Sequence, residues 1–393
     1  MTAHVNNERP ATQYLRAITE NLTGLGSLMT SIVAASEQGA ERLVAGGSLY
    51  AVADEPGFVS EATGRSGGIR QIRNRREYQT TTLTNRDVIL AGTLNNDPEQ
   101  QARELDAFRE QGALVVLFGS AVSPVCDHAD ILIDNGLPVG AVPVLSVPCR
   151  PEKVCPTGGI ANITALWVFT CELIAACSRL GKTLAMYQSG GMPGGGARNN
   201  AYRDVMFHED ITIPSIVAGA LGGQFLAEMD RCFTRISQQL PRFFQSGALI
   251  AQSLDSGHHV WVSGNGHYFA AQDGMPGDPR LFSLNMNGMN WNEAVAAFQQ
   301  EDTFAYWGYY NFPEGLVLAT RKARMHSIWM EGGCETGKFI ARPQEILIDC
   351  GWKHGDACIA VPGYDIRVVP PSGVVQAAAL WMLIGEAASQ VRA

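Results

Sequence analysis

The chain has 393 residues, enough for two or three domains of roughly 100–200 residues each. Its 29 basic and 38 acidic side chains leave a net charge of −9, which argues against general nucleic-acid binding because phosphate neutralisation needs a basic surface. With 46% apolar and only 17% charged residues, the composition also excludes a disordered chain and predicts extensive burial.

The sequence carries no sign of secretion, membrane insertion or metal binding. Residues 1–10 are polar and lack the apolar core of a signal peptide. The nine cysteines form no C-x-x-C pair and no zinc-finger spacing with histidine, so we expect reduced thiols. The apolar stretches Ile160–Cys177 and Val374–Ala388 contain polar residues, which predicts buried helices. We therefore expect a cytoplasmic protein with no cofactor, no metal, and no membrane or nucleic-acid partner.

The first part of the chain alternates between predicted helices and strands. A long amphipathic helix is expected over about residues 13–40. An Asp97 cap, Pro98 at the first helical position and Gly112 after the last turn predict a second helix. The strands predicted here are Leu49–Ala53, Asp87–Gly92, Ala113–Phe118 and Ala129–Asp134. Strands and helices alternating at this spacing indicate a parallel, doubly wound sheet.

The second part of the chain repeats this pattern. Gln13-Tyr14-Leu15 recurs 211 residues later as Gln224-Phe225-Leu226, and Ile131–Asp134 recurs 215 residues later as Ile346–Asp349. The elements predicted here are a helix at about residues 224–252 and strands at His259–Ser263, Phe304–Trp307, His326–Met330 and Glu345–Asp349. The repeat predicts a duplication, with one domain over residues 1–210 and another over 211–393. The glycine-rich run Ser189–Gly196 is predicted to lie in the connection between them.

One glycine-rich loop marks a candidate ligand site. Ligands of doubly wound sheets bind at the carboxyl ends of the strands. The first predicted strand of the second domain leads into Ser263-Gly264-Asn265-Gly266-His267, where two glycines let the backbone approach an anion. A plain tight turn is the alternative interpretation of the same residues.

These features together resemble the sugar isomerase (SIS) family. The resemblance rests on the first helix, the Ser263–Tyr268 loop, the Ile-Leu-Ile-Asp strand with Gly355-Asp356-Ala357 after it, and Val369–Gly373 at the start of the last helix. The first domain is similar to bacterial single-SIS phosphosugar-binding proteins, and the pairing of two domains resembles the isomerase half of glucosamine-6-phosphate synthase. The resemblance implies two flavodoxin-like domains, each a five-stranded parallel sheet flanked by helices. It also implies a sugar or sugar phosphate ligand. A tandem chain already contains the pairing of two such domains, and the low charge of the chain leads us to expect a further homodimer.

The chain departs from the family pattern at both phosphate loops. The loop after the first strand of the first domain reads Ala53-Asp54-Glu55-Pro56-Gly57, where two carboxylates are expected to repel phosphate, so this pocket is predicted to be lost or reassigned. The second phosphate loop lacks most hydroxyl side chains and keeps only Asn-x-Pro-Glu, at Asn96–Glu99 and Asn311–Glu314. Either the phosphate is held otherwise or the ligand is not a phosphosugar.

Five arginines offer another way to hold an anion. They lie within twelve residues, at positions 65, 70, 73, 75 and 76, and arginine suits bidentate binding of phosphate or carboxylate. The alternative is a solvated or inter-domain face of salt bridges.

The resemblance also implies a reaction. Aldose–ketose interconversion needs a base that moves a proton through an enediol and an acid that opens the sugar ring. Glu61 lies at a position similar to the catalytic glutamate of phosphoheptose isomerases, whereas its counterpart Gln272 cannot act as a base. The predicted catalytic residues are Glu61, His267 and His354, and the predicted binding residues are Ser263, Gly264, Asn265, Gly266, Asn311, Glu314, Asp356 and Ser372. Together they predict one composite site between the domains. A non-catalytic sensor of sugar derivatives is the alternative function, and a purely structural assembly is the third.

Overall fold

The fold contains two five-stranded parallel sheets. The computed structural model describes residues 8–148, 150–264, 274–286, 289–309, 313–332, 339–352 and 355–392. We refer to residues 1–210 and 211–393 as the first and second halves, the division that the sequence predicts.

The sheet of the first half is wholly parallel and is covered by helices on both faces. Its strands are β1 (Leu49–Ala53), β2 (Ile72–Asn74), β3 (Val88–Gly92), β4 (Leu114–Gly119) and β5 (Ile131–Asp134), in the order β2-β1-β3-β4-β5. Every residue of β1, β3 and β4 is buried, which explains their continuous apolar sequences. The helices of this half are α1 (Pro10–Ser27), α2 (Met29–Val44), α3 (Pro56–Ala62), α4 (Pro98–Glu110), α5 (Gly158–Arg179) and α6 (Gly195–Ala201). Two small hairpins, β6 (Pro143–Leu145) with β7 (Val154–Pro156) and β8 (Thr183–Leu184) with β9 (Phe207–His208), complete it.

The sheet of the second half has the same order. Its strands β10 (Val260–Gly264), β11 (Leu284–Asn285), β12 (Thr303–Tyr309), β13 (His326–Gly332) and β14 (Glu345–Asp349) run parallel in the order β11-β10-β12-β13-β14. Its helices are α7 (Ala220–Ser237), α8 (Leu240–Asp255), α9 (Trp291–Ala296), α10 (Glu314–Ala323) and α11 (Ser372–Ala388), and β15 (Ile359–Ala360) pairs with β16 (Arg367–Val368). Both strand orders are flavodoxin-like, so the predicted fold class is confirmed.

Each long N-terminal helix that the sequence predicts is in fact two helices. Leu28, with φ −91° and ψ 3°, separates α1 from α2. In the second half the break falls at Gln238 and Gln239, just before Pro241 in the first turn of α8. Hydrophobic periodicity continues across both breaks, and for that reason it did not reveal them.

Helices of each half pack against helices of the other half. Helix α1 packs against α11 of the second half, and α7 packs against α5 of the first. Two fully buried glutamates join these pairs. Glu172 accepts hydrogen bonds from the amides of Gly219 and Gly222 at 2.7 and 2.8 Å, and Glu386 accepts one from the amide of Ala11 at 3.0 Å. Each carboxylate therefore satisfies free amides at the N-terminus of the first helix of the other half.

A backbone contact between the halves also occurs twice. Cys155 and Val369 adopt left-handed conformations, with φ of 64° and 62°. The Cys155 amide donates to the Gly277 carbonyl at 2.9 Å, and the Val369 amide donates to the Gly67 carbonyl at 2.8 Å. The second of these contacts holds the segment after α3 against the second half.

The long apolar helix α5 is a core helix. Helix α5 has a window of mean hydropathy 1.7 and is long enough to cross a membrane by length and composition, yet all of that window is buried inside the protein. Helix α11 is buried along its whole length as well. The prediction of buried helices in both apolar stretches is confirmed.

Candidate functional site

A buried ionic cluster joins the two halves. Arg65, which follows α3, lies 2.6 Å from the Asp356 carboxylate (Nη2 to Oδ2) and 3.2 Å from the Glu61 carboxylate (Nε to Oε2). The Arg65 guanidinium also donates to the Ser372 hydroxyl, which in turn donates to Asp356 at 2.8 Å. All four residues are at most 2% exposed. We call Glu61, Arg65, Asp356 and Ser372 the interdomain cluster.

The charges of this cluster are mutually dependent. Burial by itself lowers the pKa of Arg65, but Asp356, Glu61 and Tyr309 together raise it above its ordinary value. Arg65 is therefore a permanent cation between two buried carboxylates. Charges in such a place persist only when they are paired, because desolvation of a lone ion is costly.

Glu61 is held by its surroundings in one orientation. The indole of Trp167, on α5, donates to Glu61 Oε1 at 3.3 Å. The same oxygen lies over Gly373, where an added Cβ would come within 2.1 Å of it. Only glycine at this position of α11 leaves room for the carboxylate.

The cluster lies beside the carboxyl edge of the second sheet. Gln376, one turn after Gly373 on α11, donates from Nε2 to the carbonyl of Gly308 in β12 at 2.8 Å. Gln376 is fully buried, and its Oε1 has no hydrogen-bond partner within the described part of the chain. The carboxylate of Glu331, at the end of β13, also lies close to Gly308. This edge therefore holds a buried acceptor, next to the interdomain cluster, that no described residue satisfies.

The carboxyl edge of the first sheet has a different arrangement. The carboxylate of Asp54, directly after β1, accepts hydrogen bonds from the amides of Leu94 and Asn96, both at 2.8 Å. The Thr93 hydroxyl donates to it at 3.2 Å. Burial raises the pKa of Asp54 although these donors act in the opposite direction. The loop after β3 is thus occupied by a carboxylate of the same chain.

Glu55, the residue after Asp54, also distinguishes the carboxyl edge of the first sheet from that of the second. It is 3% exposed and accepts a hydrogen bond from Asn162 Nδ2 at 3.3 Å. Burial, opposed by that hydrogen bond and assisted by the charge of Asp54, raises the pKa of Glu55 to about 8. The same Asn162 amide group donates to the Thr93 carbonyl at 2.9 Å, and its oxygen accepts from Asn135 at 2.9 Å. All of Asn162 is therefore satisfied, in contrast to Gln376.

Three solved structures share this architecture. A provisionally assigned sugar binding protein from Salmonella typhimurium LT2 matches with a TM-score of 0.54 and 8% identity over 96% of this chain and 99% of its own. The C-terminal domain of glucosamine-fructose-6-phosphate aminotransferase from Francisella tularensis matches with a TM-score of 0.54 and 10% identity, over 98% of this chain and 97% of its own. A provisionally assigned phosphosugar isomerase from Clostridium difficile 630 matches with a TM-score of 0.54 and 7% identity, over 97% of this chain and 93% of its own.

The chain has the fold of tandem SIS proteins. At these identities the likeness concerns the fold alone, and the predicted resemblance is confirmed at that level. No protein-family model and no curated protein matches the sequence.

Several of the predicted site residues lie on this SIS framework. Glu61, Asp356 and Ser372 meet in the interdomain cluster. Ser263 is buried near the end of β10, and Gly264 is its last residue. Glu314 is exposed at the start of α10. The other predicted residues, Asn265, Gly266, His267, Asn311 and His354, lie outside the described residues.

The five arginines do not converge on one surface. Arg65 belongs to the interdomain cluster, whereas Arg75 lies over the rings of Tyr50 and Phe108. Arg76 pairs with Glu104 at 3.6 Å. Arg70 and Arg73 also lie over tyrosine rings. These contacts match the salt-bridging alternative better than a single anion site.

Sequence reasoning missed two residues at the second edge. Arg65 was grouped with its neighbouring arginines, and nothing local in the sequence separates it from them. Gln376 did carry a signal, because it matches Asn162 at the 214-residue offset and both are amides in very apolar helices. An amide repeated in an apolar helix points to a hydrogen bond that the fold or a ligand must complete.

Proposed function

We propose that the chain binds one sugar or sugar phosphate at a composite site on the carboxyl edge of its second sheet. The observation that carries this proposal is the interdomain cluster, in which Glu61 and Arg65 of the first half meet Asp356 and Ser372 of the second. The cluster lies beside Gly308 and Gln376, at the edge where doubly wound sheets bind ligands. The fold of the sugar-related neighbours supports the choice of ligand class.

The difference between the two edges favours the second one. In the first half, Asp54 occupies the amides that an anionic ligand would need. Its counterpart at the 211-residue offset is Asn265, which carries no charge. Gln376 adds a buried acceptor that a ligand hydroxyl can satisfy.

Aldose–ketose isomerisation is the second candidate function. It is favoured by the position of the Glu61 carboxylate beside the Arg65 cation. In this reaction Glu61 would take the proton from C2 of the open-chain aldose while the C2–H electron pair forms the C1=C2 bond and the C1=O pair moves onto O1. The O2–H proton would then pass to O1, C2=O would form, and Glu61 would return its proton to C1. Arg65 would stabilise the negative charge of the enediolate. Ring opening would fall to His267 or His354.

Binding is the primary proposal because Glu61 is fully buried. A sugar reaches its carboxylate only if the interdomain cluster opens. Sugar binding, unlike isomerisation, does not require contact with the Glu61 carboxylate.

Thermal-shift and calorimetric titration with hexose phosphates, hexosamine phosphates and the free sugars test the proposal. We expect saturable stabilisation by at least one of these sugars, and an affinity at least about tenfold lower in Ser372→Ala, which corresponds to 1.4 kcal/mol. Ser256→Ala, at an exposed serine of the same half, is the control. If no sugar binds, both candidate functions fail.

Turnover separates the two candidates. NMR of the bound sugar should show aldose–ketose exchange in the wild type and none in Glu61→Gln if the protein is an isomerase. Binding without exchange in the wild type would exclude the isomerase and leave the binding protein.

The domain boundary near residue 210, the cytoplasmic location and the homodimer remain proposals. The low charge of the chain supports the dimer. Light scattering should give twice the chain mass of 42.3 kDa, and a monomer would contradict it.

A further inference from the structure

We propose that Asp54 is a built-in ligand of the first half. Its carboxylate fills an anion-binding loop that accepts inorganic phosphate or a phosphate monoester once the carboxylate is removed. This inference concerns the first sheet and does not rest on sugar binding at the second.

The donors around Asp54 are those of an anion site. Two backbone amides, from Leu94 and Asn96, and the hydroxyl of Thr93 all point at one carboxylate. The loop that carries them joins the carboxyl end of β3 to the N-terminus of α4, a helix of 13 residues. Backbone amides in such a loop bind phosphate when no internal carboxylate occupies them.

The backbone around the loop is already fixed. The Asn96 side chain donates to the Asp54 carbonyl at 3.0 Å, and the Thr93 amide donates to the Phe118 carbonyl at 3.0 Å. The Asn95 amide bonds the Thr93 hydroxyl at 3.1 Å. Because none of these three contacts uses the Asp54 carboxylate, the donors should keep their positions when that group is deleted.

A second buried group at this edge is left incomplete. Glu55 Oε2 is buried and has no hydrogen-bond partner among the residues that the structure describes, and its other oxygen shares the Asn162 amide with Thr93. The Glu55 side chain therefore lies against the same loop as Asp54.

The sequence of the second half differs at the positions that correspond to Asp54 and Glu55. The counterparts of Asp54 and Glu55 at the 211-residue offset are Asn265 and Gly266, so both acidic side chains are specific to the first half. A single side chain thus accounts for the closure of the first loop.

Phosphate rescue of Asp54→Ala tests this inference. We expect the variant to be less stable than the wild type and to recover stability with a saturating dependence on inorganic phosphate. By calorimetry, Asp54→Ala should bind one more phosphate per chain than the wild type. Its affinity for phosphate should be at least about tenfold higher than that of the wild type, which corresponds to 1.4 kcal/mol. Glucose 6-phosphate should act in the same way.

Two control variants make the result specific. Asp87→Ala also removes a buried carboxylate that accepts two amides and a hydroxyl, from Ser48 and Thr84, but at the amino end of β3. It should lose stability without gaining a phosphate site, which separates rescue from the general stabilising effect of phosphate. Glu55→Gln removes the adjacent carboxyl and leaves Asp54 in place, so it should bind no additional phosphate.

The outcomes are distinct. A folded Asp54→Ala that binds no more phosphate than the wild type overturns the inference, as does equal rescue of Asp87→Ala. If Asp54→Ala is recovered unfolded, refolding that succeeds only with phosphate supports the inference, and refolding that fails in both conditions overturns it. Wild type that binds no sugar at all, together with a phosphate-binding Asp54→Ala, would reject the proposed function and keep this inference.

Discussion

The carboxyl edges of the two sheets differ in how their polar groups are satisfied. In the first half, Asp54 takes the amides of the loop after β3, and Asn162 has partners at both ends of its amide. In the second half, Gln376 donates from its nitrogen to Gly308, and its oxygen has no hydrogen-bond partner among the residues that the structure describes. Buried polar groups left open by the fold are where a ligand gains most from binding. The comparison thus shows a first edge closed by its own carboxylate and supports the ligand site proposed at the second.

The framework that supports the two edges has diverged much less. Glu172 and Glu386 hold the first helix of the opposite half, and Cys155 and Val369 share one rare backbone conformation. These four residues fall in pairs at the 214-residue offset, which supports the predicted duplication. The contacts that hold the halves together are alike in both, whereas the residues at the strand ends differ.

Removal of Arg65 should have the largest effect on this arrangement. Arg65→Met leaves Glu61 and Asp356 as buried carboxylates without a cation, and breaking a buried ion pair by removing one partner costs about 3–5 kcal/mol. Urea unfolding should therefore shift to clearly lower concentration. The control is Arg76→Met, whose pair with Glu104 is largely exposed on the arginine side and should contribute at most about 1 kcal/mol. Equal midpoints for the two variants would contradict the role of the cluster.

The acidic edge of the first half should make stability depend on pH. Glu55 has a pKa of about 8 in the fold against 4.5 as its ordinary value, so between these values the folded chain keeps a proton that the unfolded chain has lost. Stability contributed by this group is complete below about pH 4.5 and decreases as the pH rises to about 8. Each pKa unit corresponds to about 1.4 kcal/mol, so Glu55→Gln should be more stable than the wild type by a few kcal/mol above pH 8.

Unfolding midpoints at about pH 5, 7 and 9 check this prediction. The gain of Glu55→Gln over the wild type should grow with pH across the series. Glu99→Gln, at an exposed glutamate of α4, should follow the wild type at every pH. A constant difference between Glu55→Gln and the wild type would show that burial of Glu55 is not the cause.

The paired glutamates should give matching, intermediate effects. Glu172→Gln and Glu386→Gln each replace a charged acceptor at a helix N-terminus by a neutral one, which should cost about 0.5–2 kcal/mol. Thermal unfolding of the two variants should agree closely, with a small extra loss for Glu386→Gln because Arg9 also pairs with it. A large effect in one variant alone would mean that the two interfaces are not equivalent.

The fold was accessible from the sequence, but much of the site was not. Two parallel sheets were predictable because buried parallel strands leave a clear hydrophobic pattern in the sequence. The recurrence of Ile131–Asp134 as Ile346–Asp349 indicated that the second sheet repeats the first. The closed first edge was foreseen from the charge of Asp54 and Glu55. The pairing of Arg65 with Asp356 was not, since their 291-residue separation is bridged only by the packing of the two halves. Glycine at position 373 was used to identify a helix start, with no indication that Glu61 lies over it.

Substitution of Gly373 tests how tightly Glu61 is held in the interdomain cluster. Gly373 and Gly315 are each the second residue of a helix in the second half. A Cβ at Gly373 would lie 2.1 Å from Glu61 Oε1, while none of the described residues lies within 4 Å of one at Gly315. Glu61 cannot withdraw freely, because Arg65 and Trp167 hold its carboxylate. Gly373→Ala should therefore lose about 1–3 kcal/mol through overpacking, despite the better helix propensity of alanine.

Gly315→Ala should change stability in the opposite direction. Alanine there meets no neighbour, so it should gain up to about 1 kcal/mol from helix propensity alone. Thermal unfolding of both variants, with the sugar affinity of Gly373→Ala measured beside it, separates packing from recognition. If both alanines stabilise the protein, Glu61 must be free to move away from α11. The interdomain cluster would then be too loose to position a ligand at the second edge.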